Sequence, residues 1–290
     1  MKKPKDYTIR PPKVPEKFNQ VKKDLEKLGL YTVCQESHCP NIADCWSDYT
    51  ATFLAMGDIC TRGCNFCAIK TGIPKDLDEL EPQKIAFACK KMQLKYVVIT
   101  SVDRDELEDQ GANHLAKIIK TVKKVNPDIK IEILIPDFRG KKNLIDIIIE
   151  AKPTVIAHNI ETTKSLTPKV RDLRANYQQS MDVLKYIKEK NPTTIIKTSL
   201  MCGLSETEEE LVQTFQDLNR IKLSILTLGQ YLKPKNKSMN VDKYLTQKDY
   251  NHIQKLAEKQ GIPLVIAGPF IRSSYKAEYY YNKLQEIFKN

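Results

Sequence analysis

After Thr50 the chain alternates short β-branched runs with longer amphipathic ones. The pattern predicts strands at Thr52–Met56, Tyr96–Thr100, Lys130–Ile135, Thr154–His158, Thr194–Leu200, Leu223–Leu228 and Leu264–Ala267. Helical spacing fills the gaps: Leu115, Ile118, Ile119 and Val122 share one face, as do Leu211, Val212, Phe215 and Leu218. Ser205 with Glu208, and Thr246 with Asp249, have capping-box spacing. Thr167 before Pro168 marks another helix start, and Gly261 followed by Pro263 ends a helix.

Strands alternating with helices imply parallel strands and right-handed crossovers. The predicted class is α/β, as a partial barrel or an open sheet. The strand runs are followed by Cys60, by Ser101 and Asp103, by Asn159 and Glu161, and by Gln230. Polar residues gathered there fit a functional rim at the C-terminal face of a barrel. Strands also end in polar turns for purely structural reasons, so position alone is weak support. Residues 1–50 lack the alternation and read as a cysteine-bearing extension, residues 51–267 as the barrel, and residues 268–290 as a tail.

Cysteine placement sharpens the picture. Six of the eight cysteines lie between Cys34 and Cys67; only Cys89 and Cys202 lie elsewhere. A disulfide scaffold is typically small and secreted, and this chain of 290 residues opens without an apolar signal segment. The thiols therefore read as metal ligands. Cys60-x3-Cys64-x2-Cys67 follows the first barrel strand, with Phe66 directly before its last member. Thiolates suit iron–sulfur clusters or zinc. Three cysteines hold three irons of a [4Fe–4S] cube and leave the fourth open to a chelating amine and carboxylate. S-adenosylmethionine supplies both in enzymes with this motif, and its cleavage there yields a 5′-deoxyadenosyl radical. Structural zinc sites are closed and four-coordinate, and the x3 spacing is unusual for them.

A second triplet, Cys34-x4-Cys39-x5-Cys45, again leaves one iron without a ligand. Cys89, Cys202, a histidine or an oxygen donor are all open possibilities. Cys89 sits mid-helix, where a buried thiol acts as a small hydrophobe, and Cys202 ends a strand. His38 adjoins Cys39, and His158 ends a strand nearer a substrate position.

Several further segments join these triplets: TSVDRDEL (Thr100–Leu107), HNIET (His158–Thr162), LTPKVRDLRANYQQS (Leu166–Ser180), TLGQYLKP (Thr227–Pro234) and GPFIRSSY (Gly268–Tyr275). From about Val33 to Tyr275 the chain resembles the lipoyl synthase family of radical S-adenosylmethionine enzymes. The resemblance implies a partial (β/α)6 TIM-like barrel with cluster-binding extensions at both ends. It implies that Cys60, Cys64 and Cys67 hold the cluster that cleaves S-adenosylmethionine. Cys34, Cys39, Cys45 and Ser274 then hold an auxiliary [4Fe–4S] cluster that donates sulfur to C6 and C8 of a protein-bound octanoyl chain. Phe66, Asp103, Asn159, Glu161, Arg174 and Lys197 become candidate S-adenosylmethionine contacts. Implied partners are octanoylated carrier domains, either of a 2-oxoacid dehydrogenase E2 or of a glycine cleavage H protein, and a reduced ferredoxin or flavodoxin. Lys276 and Ser205 depart from the family pattern, Ser205 standing where a glycine is expected.

The net charge of +11, from 47 basic and 36 acidic residues, fits an acidic partner such as a carrier domain. Aromatics do not interleave with the basic residues, which argues against a nucleic-acid platform. A tRNA methylthiotransferase, the nearest rival, needs a larger N-terminal domain than Met1–Val33. A zinc-binding docking module is the rival from another class. No apolar run is long enough to span a bilayer. The expectation is a cytoplasmic monomer with no membrane or nucleic-acid partner.

Overall fold

The computed structural model describes Pro4, Tyr7 and residues 11–48, 50–235 and 237–289. The chain divides into two compact units. The first comprises Ile9–Arg62 and Ala68–Thr154; the second comprises Met1–Thr8, Gly63–Cys67 and Val155–Asn290.

In the first unit, α1 (Pro15–Leu28) precedes β1 (Tyr31–Thr32) and two short helices, α2 (Val33–Glu36) and α3 (Ile42–Ser47). Then come β2 (Thr52–Ala55), β3 (Ile59–Cys60), β4 (Lys70–Thr71), α4 (Glu81–Lys91), β5 (Tyr96–Ser101), α5 (Ala112–Val125), β6 (Lys130–Leu134) and α6 (Lys142–Glu150). Strands β2, β5 and β6 run parallel, Thr52 opposite Val98 and Tyr96 opposite Lys130, while β1 adds antiparallel to β2. Leu115, Ile118, Ile119 and Val122 on α5 are fully buried. Each such side chain contributes roughly 1.5–3 kcal/mol when taken from water.

The second unit contains β7 (Val155–Ala157), α7 (Thr167–Val170), α8 (Tyr177–Lys190), β8 (Ile195–Cys202), α9 (Glu208–Arg220), β9 (Ile225–Gln230), α10 (Gln247–Lys259), β10 (Leu264–Gly268) and α11 (Ala277–Lys289). Strands β7 to β10 pair in parallel in chain order. Val155, Ile195, Ile225, Leu264 and Ile266 form a core with Leu284, which anchors α11. No described helix is long and apolar enough to cross a membrane.

All seven expected strands form, with ends shifted by one or two residues. The Thr246–Asp249 capping box is present. The other expected box is displaced: Thr207 and Glu210 make it, not Ser205 and Glu208. Ser205 has φ +80°, so it serves the turn before the helix. Glu206 meanwhile accepts from the backbone N–H groups of Gly203 and Leu204. Only Thr207 has the extended backbone that an N-cap needs.

Candidate functional site

Cys60 ends β3, which pairs with β4 through Cys60 opposite Thr71. Its sulfur accepts from the backbone N–H of Arg62 at 3.4 Å and of Asp103 at 3.3 Å. Asp103 Oδ2 lies 3.7 Å from the same sulfur. Thr61 ties the two strand-end loops together, its N–H and hydroxyl both donating to Asp103 O at 3.0 Å.

Arg62 anchors this loop from within. It is buried, with Nε and Nη2 each donating to Asp105 at 2.8 Å and Nη1 and Nη2 each donating to Asp137 at 2.8 Å. Burial works against its charge, but the hydrogen bonds to Asp105 and Asp137 outweigh burial and hold the guanidinium above its ordinary pKa. Arg62 also stands 3.4 Å from Asp103, offsetting that carboxylate beside Cys60.

In the second unit the Cys64 sulfur accepts from Asp172 N–H at 3.3 Å, while Gly63 N–H donates to Asp172 Oδ2 at 2.8 Å. Arg174 grips Asp172 through Nε at 2.8 Å and Nη2 at 3.0 Å. That grip, against some burial, holds the Asp172 carboxyl well below the usual range. Cys67 N–H donates to Cys64 O. Phe66 is half-buried, packed with Leu166 and Met201 on Val170, Leu204 and Tyr231.

The ends of β7 and β8 carry a polar layer. His158 Nε2 and Ser180 Oγ are 2.9 Å apart, and Arg171 Nη1 donates to Ser180 Oγ at 2.7 Å. Glu161, at φ +66°, bridges to β8 through its own N–H and carbonyl. Burial lifts its carboxyl above the ordinary value; Arg171 and an Asn159 hydrogen bond oppose the rise. Lys197 is buried on β8. Asn159 Oδ1 and Thr162 Oγ1 are buried without a partner among the described residues. Buried polar atoms are normally satisfied, so this layer has the character of a ligand cradle.

In the first unit a Schellman motif brings Cys34 and Cys39 together. Cys39 N–H donates to Cys34 O at 3.0 Å and His38 N–H to Gln35 O at 3.1 Å, with His38 at φ +52°. The exposed His38 thus makes the turn. Burial, then the Cys39 thiol, pushes Cys34 up to about 11, and the Trp46 indole pulls the other way. Burial, then Cys34 and Cys39, pushes Cys45 higher still. Cys34 is buried and Cys39 and Cys45 are half-buried, near enough for their thiols to influence one another.

Residues 54–218 match the radical SAM superfamily. The chain is 45% identical over 278 residues to a lipoyl synthase of Sulfolobus acidocaldarius, covering 96% of each chain. It is 46% identical over 268 residues to a lipoyl synthase of Myxococcus xanthus, covering 92% of this chain and 90% of that one. The chain belongs to the lipoyl synthase family. Its backbone also resembles the crystal structure of methylornithine synthase (PylB), with TM-score 0.55 and 10% identity over 97% of this chain and 93% of that chain. That likeness concerns the fold alone, an α/β partial TIM-like barrel. As a lipoyl synthase family member the chain is a radical SAM enzyme, which implies S-adenosylmethionine and a [4Fe–4S] cluster.

The donor set suits such a group. Cys60 and Cys64 each receive backbone N–H bonds on sulfur, which favour the thiolate form that iron requires. Among the described residues no three Cys, His, Asp or Glu side chains converge on a single-ion site. A cube differs from such a site, because each thiolate reaches a different iron.

Cys89 and Cys202 are fully buried in the core, each with burial raising its thiol pKa, Cys89 to about 12. Ser274 lies half-buried in the turn before α11. Gln230 is a structural hub: its amide donates to Cys202 O, Tyr231 O and Lys243 O and accepts from Leu245 N–H. Sequence reasoning passed over the Arg62 clamp, although an arginine between two ligand cysteines and an aspartate two places after Asp103 were visible. It also passed over the Arg171–Ser180–His158 chain, whose members are distant in sequence.

Proposed function

We propose that this radical SAM enzyme makes the lipoyl group by inserting two sulfur atoms, at C6 and C8 of a protein-bound octanoyl-lysine. The sulfur source is a second [4Fe–4S] cluster held by Cys34, Cys39, Cys45 and Ser274. The observation that carries this reading is the Schellman turn that folds Cys39 back onto Cys34, with the half-buried Cys45 close enough for both thiols to raise its own.

When bound, S-adenosylmethionine and the reduced cluster at Cys60, Cys64 and Cys67 supply a carbon-centred radical. The protein's task is to orient and to shield. Phe66, Asp103, Asn159, Glu161, Arg174 and Lys197 contact S-adenosylmethionine in this reading. Phe66 offers an apolar ring, while Asn159 and Thr162 offer unsatisfied polar atoms. Arg174 is engaged by Asp172, so it acts through the Cys64 loop as well. Ser274 is an oxygen donor, harder and less matched to iron than thiolate, and suits a ligand that must let its iron go.

Residues 1–50 and 268–290 then act as extensions carrying the auxiliary ligands, and 51–267 as the barrel. Partners are octanoylated carrier domains of E2 or H-protein type and a reduced ferredoxin or flavodoxin, met by a cytoplasmic monomer. The net charge of +11 favours docking of acidic carriers.

The test is one anaerobic incubation of reconstituted protein, reductant and S-adenosylmethionine with an octanoylated carrier peptide, read by peptide mass. Mono- and then di-thiolated product is expected; absence of both sinks the specific function. Ser274→Ala should still cleave S-adenosylmethionine while losing thiolated product.

A further inference from the structure

Trp46 is the chain's sole tryptophan and is 1% exposed. It directly follows Cys45 on α3, and its ring packs on Phe18 of α1 with centroids 5.1 Å apart. A buried indole N–H ordinarily finds an acceptor. Trp46 Nε1 is buried, yet among the described residues no hydrogen-bond partner accepts from it. The indole stands close enough to the Cys34 side chain to weigh against the burial that raises that thiol. A neutral thiol is a weak acceptor, whereas an iron-bound thiolate is a full one. The donor is thus in place for a Cys34 sulfur bound to iron.

We propose that Trp46 donates its indole N–H to the Cys34 sulfur of the auxiliary cluster, as a positioning residue that secures this ligand and raises the cluster's reduction potential. The inference rests on the reading of Cys34, Cys39 and Cys45 as cluster ligands. Its physical basis is charge. Reduction adds an electron to the cluster, and an N–H directed at a ligand sulfur stabilises the more negative state. The site is buried, so the interaction is screened little by water. Phe18 fixes the ring plane, and with it the direction of the N–H.

The test uses the full chain in a Cys60→Ala, Cys64→Ala, Cys67→Ala background, which isolates the auxiliary cluster. About four irons per chain should remain after anaerobic reconstitution; if none remain, the cluster reading itself fails. Two changes then delete the N–H. Trp46→Phe shortens the ring. Biosynthetic replacement of tryptophan by its benzothiophene analogue keeps the ring shape and, with a single tryptophan, alters position 46 alone. The proposal expects both proteins to show a lower midpoint in an EPR-monitored redox titration, and iron loss to a chelator roughly 10-fold faster. A benzothiophene protein with the unaltered midpoint and unaltered iron loss overturns it, because the ring would then serve packing only.

Discussion

Arg62 and Asp137, 75 positions apart, are joined by two parallel N–H···O bonds of 2.8 Å. Neither side chain meets solvent: Arg62 is 3% exposed and Asp137 0%. The pair crosses from the segment between Cys60 and Cys64 to the turn after β6, so it braces the Cys60 loop. Removing one partner of a buried pair leaves an uncompensated charge. Asp137→Ala should therefore cost on the order of 3 kcal/mol in urea unfolding of the metal-free protein. Asp137→Asn, which still accepts one hydrogen bond, should cost less. Equal stability of Asp137→Ala and the parent would show that Asp105 alone satisfies Arg62.

The same clamp sets a pH dependence. Burial disfavours the Asp105 charge, but its hydrogen bonds and charge contact with Arg62 prevail and keep its carboxyl below the ordinary value. A carboxyl lowered in the folded state contributes stability above its unfolded pKa and loses it as pH falls through the folded value. Stability of the parent should thus decline on acidification below about pH 4, the unfolded carboxyl range. Asp105→Asn should start less stable at neutral pH and decline less steeply. Parallel acid profiles for the two proteins would refute the assignment.

How much of this was legible in the chain follows from where each interaction lies in sequence. The strands and the faces of α5 and α9 were readable because side-chain burial repeats locally, as at Leu115, Ile118, Ile119 and Val122. The six clustered cysteines stood out because their spacing is local too. The Arg62 clamp did not, since it joins residues brought together only by strand order. Trp46 drew no reading from the sequence, because an unsatisfied N–H is a property of packing. The Ser205 box failed because backbone conformation, left-handed at Ser205 and extended at Thr207, sets the helix start two residues later.

Ser205 supplies a stability prediction. At φ +80° a side chain is strained by roughly 1–2 kcal/mol, and glycine is not. Glycine gains entropy in the unfolded chain, which recovers part of that difference for the unfolded state. Ser205→Gly should raise Tm modestly and leave iron content unchanged. A fall in Tm would mean that the Ser205 hydroxyl has a compensating contact.

Gly229 bears on the tail that carries Ser274. The segment Pro269–Ser273 passes directly over β9, so close that a Cβ at Gly229 would stand 2.0 Å from Ile271 O and 3.2 Å from Arg272 Nη1. The first of these is backbone and cannot rotate away. Ile271 is itself held by Gly268 O through its N–H at 3.1 Å, and Arg272 Nη1 donates to Ile271 O at 2.6 Å. Beyond it, Leu284 of α11 is fixed in the core. Gly229→Ala must therefore displace the short stretch between these anchors, which includes Ser274, rather than unfold the barrel. In the proposed division of labour the auxiliary cluster loses its oxygen ligand and the cluster at Cys60, Cys64 and Cys67 is untouched. The expected result is S-adenosylmethionine cleavage near the parent rate, with thiolated product reduced roughly 10-fold or more and an altered Mössbauer signature for the auxiliary iron. Parent-like thiolation in Gly229→Ala would show that the tail finds its place without this close crossing, and a loss of cleavage together with thiolation would place Gly229 in the barrel's stability instead.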